Sequence, residues 1–198
     1  MNIACVIGNG TSRKQFDLHC INATMKTYGC NALYREFIPD VLISMDIFMV
    51  CEIIENDIHR QSKFYTQHCN KMDELAEIGE PIHFCKIERS TQDSGTSAIE
   101  LASMNNDVVY LIGFDYDTGN GVLPNVYHGS KNYARSSCIP AAADMANRWK
   151  QRLRKLVKEN PNTQFIRVNA SNTEASVLAT NYSEITTEQF KEIYDSRN

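Results

Sequence analysis

The sequence predicts an α/β protein: a Rossmann-like, mainly parallel sheet with helices on both faces, forming a single domain over residues 1–198. Three observations carry this. Short apolar runs alternate with segments of helical periodicity along the chain. The run Val-Val-Tyr-Leu-Ile-Gly at 108–113 is apolar without alternation, as a central parallel strand covered on both faces requires. Small and polar residues then replace apolar ones at each expected C-terminal strand end, where ligands bind in open α/β sheets.

In chain order, Asn2–Ile7 reads as a buried strand that stops at the tight turn Gly8-Asn9-Gly10. Lys26–Asn31 and Val41–Asp46 are further strands, each followed by helical character. Ile47–Arg60 places Ile47, Val50, Cys51, Ile54 and Ile58 on one helical stripe. Pro81–Glu88 reads as a strand, Ser94–Asn105 as a helix, and Val108–Asp115 as the clearest strand. A loop of about twenty residues rich in Gly, Asn and Ser follows at 116–137, longer than ordinary connections and therefore expected to be functional. Pro140 opens the longest helix, with Ala142, Met145, Trp149, Leu153, Leu156 and Val157 at helical spacing. Gln164–Asn169 is the last expected strand and Thr187–Ser196 a terminal helix.

Composition narrows the function classes. Hydrophobic residues at 42% and charged residues at 22% are globular values, which argues against disorder. A net charge of −4 gives no footprint for duplex nucleic acid. No run is long enough for a membrane span, and the N-terminus lacks signal-peptide features, so a cytoplasmic protein is expected. The 7 cysteines (5, 20, 30, 51, 69, 85 and 138) are scattered without a C-x-x-C pair, so they read as reduced thiols. The basic run Arg148, Lys150, Arg152, Arg154, Lys155 and Lys158 reads as a solvated helix face.

The strand ends hold the candidate site: Gly8-Asn9-Gly10-Thr11-Ser12, Cys30-Asn31, Ser44-Met45-Asp46 and Gly113-Phe114-Asp115-Tyr116. A glycine turn after the first strand lets backbone N–H groups approach a phosphate, with Thr11 and Ser12 adding hydroxyl donors. Asp46 and Asp115 end two strands on one expected edge. They read either as helix caps or as carboxylates holding magnesium through phosphate oxygens. His19, His59, His68 and His83 lack ligand spacing. His128 differs from them in sitting in the long loop beside Tyr127 and Lys131.

Taken in order, Val6-Ile7-Gly8-Asn9-Gly10-x-Ser12, Cys30-Asn31-x-x-Tyr34, Ser94-Gly95 and Tyr110-Leu111-Ile112-Gly113-Phe114-Asp115 resemble the bacterial sialyltransferases of glycosyltransferase family 42. The segment His128-Gly129-Ser130-Lys131-Asn132 resembles that family's His-Ser-Lys-Asn segment with one glycine inserted. The resemblance implies metal-independent transfer from a CMP-type nucleotide sugar to an acceptor it does not name, with no tightly bound cofactor. By the same resemblance His128 is the base, and Tyr116 and Tyr127 stabilise the leaving phosphate. Asn9, Ser12 and Asn31 hold the nucleotide, Ser94 and Gly95 its phosphate or sugar, and Asp115 orients its neighbours or the ribose.

The stretch from Tyr116 to His128 is too short for the family's helical lid, which leaves water exclusion to something else, such as a neighbouring copy in a homo-oligomer. The same skeleton resembles the hydroxymethyl-dihydropterin pyrophosphokinase-like family. That resemblance implies a diphosphotransferase with Mg-ATP on Asp46 and Asp115. A module that binds a nucleotide without turning it over is a third reading of these residues.

Overall fold

The computed structural model describes residues 1–85, 93–116, 123–133, 142–168 and 177–196. One eight-stranded sheet runs in the order β5-β4-β3-β2-β1-β6-β7-β8, and every pairing is parallel. The strands are β1 (Ile3–Ile7), β2 (Lys26–Cys30), β3 (Val41–Ile43), β4 (Lys63–Thr66), β5 (His83–Phe84), β6 (Val108–Ile112), β7 (Gln164–Val168) and β8 (Tyr182–Ile185). The helices are α1 (Leu18–Thr24), α2 (Ile47–Glu55), α3 (Asn70–Glu77), α4 (Ser94–Ser103), α5 (Ala142–Glu159) and α6 (Thr187–Asp195). Among the described residues no helix is long and apolar enough to cross a membrane.

The period-2 alternation of the central strands divides the core. Ala4 and Val6 of β1 pack with Val109 and Leu111 of β6 under α4 (Ala98, Ile99, Ala102) and α5 (Leu153, Leu156, Val157). Cys5 and Ile7 face the other way with Tyr110 and Ile112, under α1 (Leu18, Ile21) and α6 (Phe190, Tyr194). Helices α2 and α3 cover Leu42 and Phe64. From β1 the chain winds outward to β5, then returns to place β6 on the far side of β1. Right-handed crossovers in the two directions require opposite faces of the sheet. The switch point therefore falls between β1 and β6.

Several elements differ from the sequence reading. Helix α1, strand β4, helix α3 and strand β8 are additional. The helix expected over 47–60 ends at Glu55, because Asp57 turns left-handed (φ 54°) before a 3-10 turn at Ile58–Arg60. Its buried face is Met49, Val50, Glu52 and Ile53, while Ile47 is exposed. Of the strand expected over 81–88, His83–Phe84 is a strand, and residues 86–88 lie outside the described residues. Pro140, Cys138, Asn169 and residues 117–122 and 134–137 also lie outside them. On the basic helix, Arg152 is committed to Asp93 at 2.7 Å and Lys155 to Glu159 at 3.5 Å.

The glycine turn expected to cradle a ligand serves the sheet first. Gly8 N–H donates to Ile112 O (2.8 Å) and Gly10 N–H to Gly113 O (2.8 Å), extending the β1–β6 ladder past the strand ends. Gly113 has φ 69°, and a Cβ there would stand 2.6 Å from Gly8 O. A Cβ on Gly10 would meet Asp115 Oδ2 at 2.5 Å and Gly113 O at 2.6 Å. We expect Gly113→Ala to lose about 1–3 kcal/mol from backbone strain alone, with the clash added. Gly79 also has positive φ (94°) but open space around its Cβ position, so Gly79→Ala serves as the control. Equal urea midpoints for the two variants would refute the close-approach argument.

Candidate functional site

A cavity of about 330 Å³ opens at the C-terminal edge of the sheet, at the switch point. Gly8, Asn9 and Gly10 line it from the β1 turn, and Asn31 and Asp46 from the ends of β2 and β3. Ser94 and Gly95 enter from the start of α4, Asp115 and Tyr116 from beyond β6, and His128 from the long loop. Three residues expected at the site do not line it: Thr11 is exposed, Ser12 is bonded to Asp115 through its N–H and Oγ, and Tyr127 is buried.

The polar end is organised around Asn9, which is 8% exposed. Its Nδ2 donates to Cys30 O (3.1 Å) and to the Tyr133 hydroxyl (2.9 Å). Because the Cys30 carbonyl can only accept, Nδ2 is fixed as the donor, and Oδ1 is left buried with no donor among the described residues. Asn31 adopts φ 53° at the turn after β2, and its Oδ1 accepts from Ser44 Oγ at 2.9 Å. Ser94 Oγ accepts from Met45 N–H at 2.9 Å, tying α4 to the end of β3.

The carboxylates are held by backbone donors. Asp46 caps α2, its Oδ1 accepting from Phe48 N–H at 3.0 Å and Met49 N–H at 3.4 Å. Asp115 caps no helix of its own. It reaches back to the β1 turn and accepts from Ser12 N–H (2.9 Å) and Ser12 Oγ. Asp93, a cavity residue that sequence reasoning missed, caps α4 through Thr96 N–H at 2.8 Å and pairs with Arg152. Among the described lining residues there is no Lys or Arg. The N-termini of α2 and α4, both starting at the cavity wall, are the positive features an anion would meet there.

This arrangement corrects the expected phosphate cradle. The N–H groups of Gly8, Gly10 and Ser12 are already bonded to Ile112, Gly113 and Asp115, so that turn offers few donors. Tyr127 is likewise not free. Its hydroxyl accepts from Arg13 Nη2 at 2.8 Å, because that guanidinium, 2% exposed, needs partners in the interior. Glu36 supplies the other, 3.1 Å from Arg13 Nη1. Tyr133 stands at the cavity instead, directly after the His128–Asn132 segment. Trp149 and Met145, assigned by spacing to the α5 core stripe, also line the cavity. With Phe114, Tyr116 and Leu123 they form its apolar wall.

Tyr116 is buried, with the Arg167 guanidinium 5.1 Å over its ring. Burial pushes its hydroxyl well above the ordinary phenol range despite that cation, so it stays a protonated donor at all working pH values.

An open parallel α/β sheet, covered on both faces and with a cavity at its switch point, is the class of fold these layers define. No family model and no curated protein matches the sequence. Among solved structures, the chain is similar to the sialyltransferase CST-II in complex with a trisaccharide acceptor and CMP, with TM-score 0.51, 11% identity and 100% of both chains covered. It is also similar to the sialyltransferase CstII from Campylobacter jejuni in complex with the substrate analogue CMP-3FNeuAc. That match has TM-score 0.51 and 14% identity, over 91% of this chain and 88% of the other. The fold is thus the α/β fold of those sialyltransferases, in agreement with the resemblance drawn from the sequence motifs.

The cysteines test the packing around the site. The described ones are all unpaired, with Cys5, Cys30 and Cys85 buried. Burial, and then the charge of Asp93, push the Cys30 thiol up to about 12, and burial with Glu100 does the same for Cys85. Mass-spectrometric mapping of iodoacetamide adducts at pH 8 should find Cys5, Cys30 and Cys85 unmodified until denaturant is added, with Cys20 and Cys69 modified earlier. Early modification of Cys30 would show that the β2 end is open.

Proposed function

We propose that this chain is a metal-independent glycosyltransferase that takes its sugar from a CMP-type nucleotide donor. One convergence supports the reading. Asn9, Asn31, Ser94–Gly95, Asp115 and His128 come from separate chain segments and line a single cavity, in a fold shared with enzymes solved with CMP ligands.

In this reading the donor phosphate sits at the start of α4, where Gly95 leaves the backbone uncovered and the helix end favours negative charge. Asn9 Oδ1, lacking a donor, accepts from the nucleotide. The acceptor hydroxyl attacks the anomeric carbon as the bond to the phosphate oxygen breaks, and His128 takes the hydroxyl proton. Tyr116, protonated and buried, donates toward the departing phosphate, with Tyr133 rather than Tyr127 as the second phenol at the cavity. The apolar wall of Phe114, Trp149 and Met145 excludes water from one side of the reacting bond. The caps on Asp46 and the Ser12 bonds to Asp115 favour this route over one that needs those carboxylates for magnesium.

Thermal unfolding with CMP, CDP, UDP, GDP or ATP, each with magnesium or EDTA, tests the reading. A ligand at 100 times its Kd adds about 2.7 kcal/mol, a midpoint rise of about 5–10 °C for a chain this size. The expected result is a rise with CMP that survives EDTA. A rise only with Mg-ATP would replace the reading with diphosphotransfer. Turnover of a CMP-sugar should fall by roughly 10²–10⁴-fold in His128→Ala while CMP affinity stays within a few-fold. Full activity in that variant would overturn the base assignment, and tight CMP binding with no wild-type turnover would leave a sequestering module.

A further inference from the structure

Glu52 stands on the buried face of α2 beside Met49, Val50 and Ile53, and is itself 5% exposed. A carboxylate in such a place is costly unless it is well supplied with donors. It has several. The Tyr34 hydroxyl and Arg35 Nη2 donate to Oε1, Arg35 Nε donates to the same oxygen at 2.8 Å, and Asn132 Nδ2 donates to Oε2 at 2.6 Å. Arg35 in turn donates through Nη1 to Ser130 Oγ (2.8 Å) and through Nη2 to Lys131 O (2.7 Å). The pair therefore grips three successive residues, Ser130, Lys131 and Asn132, just after His128.

The other side of His128 is held as firmly. Val126 N–H donates to Asn9 O at 2.8 Å, and the Arg13 and Arg35 guanidinia stand 5.4 and 6.0 Å from the Tyr127 ring centroid. Asn132 is kept at φ 59°, a left-handed conformation that persists where surrounding contacts over-determine it. Among the described residues no side-chain hydrogen bond uses the His128 ring, which lines the cavity. Burial alone would raise the Glu52 carboxyl. The hydrogen bonds from Tyr34, Arg35 and Asn132 outweigh it and hold the group below its ordinary range, so the charge is fixed at neutral pH.

We propose that Glu52 and Arg35 are positioning residues: through Ser130, Lys131 and Asn132 they fix the 127–133 segment so that His128 keeps its place on the cavity wall. The kinetic part of this inference rests on the transfer reading above. An apolar residue at 52 would pack α2 equally well. What the carboxylate alone does is hold Arg35 and Asn132 in one geometry.

Glu52→Gln and Arg35→Met, compared with the full wild-type chain, test it by three readouts. Hydrogen exchange at residues 126–133 should accelerate at least about tenfold while β1 and β6 keep their protection. CMP affinity should stay within a few-fold. Turnover of a CMP-sugar should lose roughly 100-fold in kcat with little change in KM, the scale of a base displaced by about 1 Å. Unchanged exchange in both variants would overturn the clamp. So would faster exchange in that segment with wild-type kcat. If the wild-type chain turns over no CMP-sugar, the transfer reading fails, while the exchange measurement still decides whether the pair fixes the segment. If Glu52→Gln does not fold, Arg35→Met carries the test, since Arg35 is 22% exposed and lies outside the packed face of α2.

Discussion

Gly8 and Gly113 approach so closely at the ends of β1 and β6 that neither position has room for a side chain. The rest of the site depends on this contact. It lets the β1–β6 ladder continue by Gly8 and Gly10 donating to Ile112 and Gly113, beyond the point where parallel strands normally part. That extension brings Asp115 over the β1 turn, where Ser12 ties it down. Asn9, between the two glycines, is then aimed across the switch point toward Cys30 and Tyr133. A larger residue at either glycine would separate β1 and β6 just where the cavity begins. The glycines are therefore a packing requirement of the sheet that has a binding site as its consequence.

The electrostatics of the cavity follow a similar logic. Asp46, Asp93 and Asp115 would make it strongly repulsive to a phosphate if they stood free. Instead Asp46 and Asp93 cap helices, Asp93 also takes Arg152, and Asp115 binds the backbone and hydroxyl of Ser12. Each carboxylate orders a turn and has its charge answered locally. With those caps in place, the starts of α2 and α4 still turn the positive ends of their dipoles to the cavity. An anion placed there meets backbone dipoles rather than mobile cations, and dipoles fixed in a sheet-bound helix need no reorganisation to meet it.

Much of this was legible in the sequence, for physical reasons that also explain the failures. The apolar runs of β1 and β6 have no polar interruption because both faces are covered, so period and composition agree. The strand-end residues Asn9, Asn31, Asp46, Ser94 and Asp115 stand out because a sheet edge is where apolar character must stop. Strand β4 (Lys63–Thr66) alternates a buried Phe64 with exposed Lys63, and β8 (Tyr182–Ile185) contains Ser183 and Glu184, so neither shows the apolar run of a central strand. Tyr127 and Tyr133 are six residues apart in one loop, and no local rule says which phenol faces the cavity. The choice was made at a distance, by the buried Arg13 that takes the Tyr127 hydroxyl. Glu52 was hidden for the same reason, since its partners Arg35 and Asn132 lie on different segments.

The site is thus held by two kinds of force with different failure modes. Its floor of Asn9, Asn31, Ser94 and Asp115 is fastened to central strands and helix starts, and goes only when the sheet goes. Its outer edge, the segment from Val126 to Tyr133, is fastened largely by hydrogen bonds to Arg13, Arg35, Glu52 and Asn9. Hydrogen bonds to buried charges are directional, and removing one partner leaves the others unsatisfied, so such a network fails as a unit. Packing tolerates a small displacement by relaxing around it, whereas a loop whose register is set by Arg35 and Glu52 keeps His128 in place or loses it. Under the proposed transfer, in which a base must meet one acceptor hydroxyl, an edge that is either in register or released suits the chemistry better than one that drifts, because an ill-placed base would leave a bound donor exposed to water.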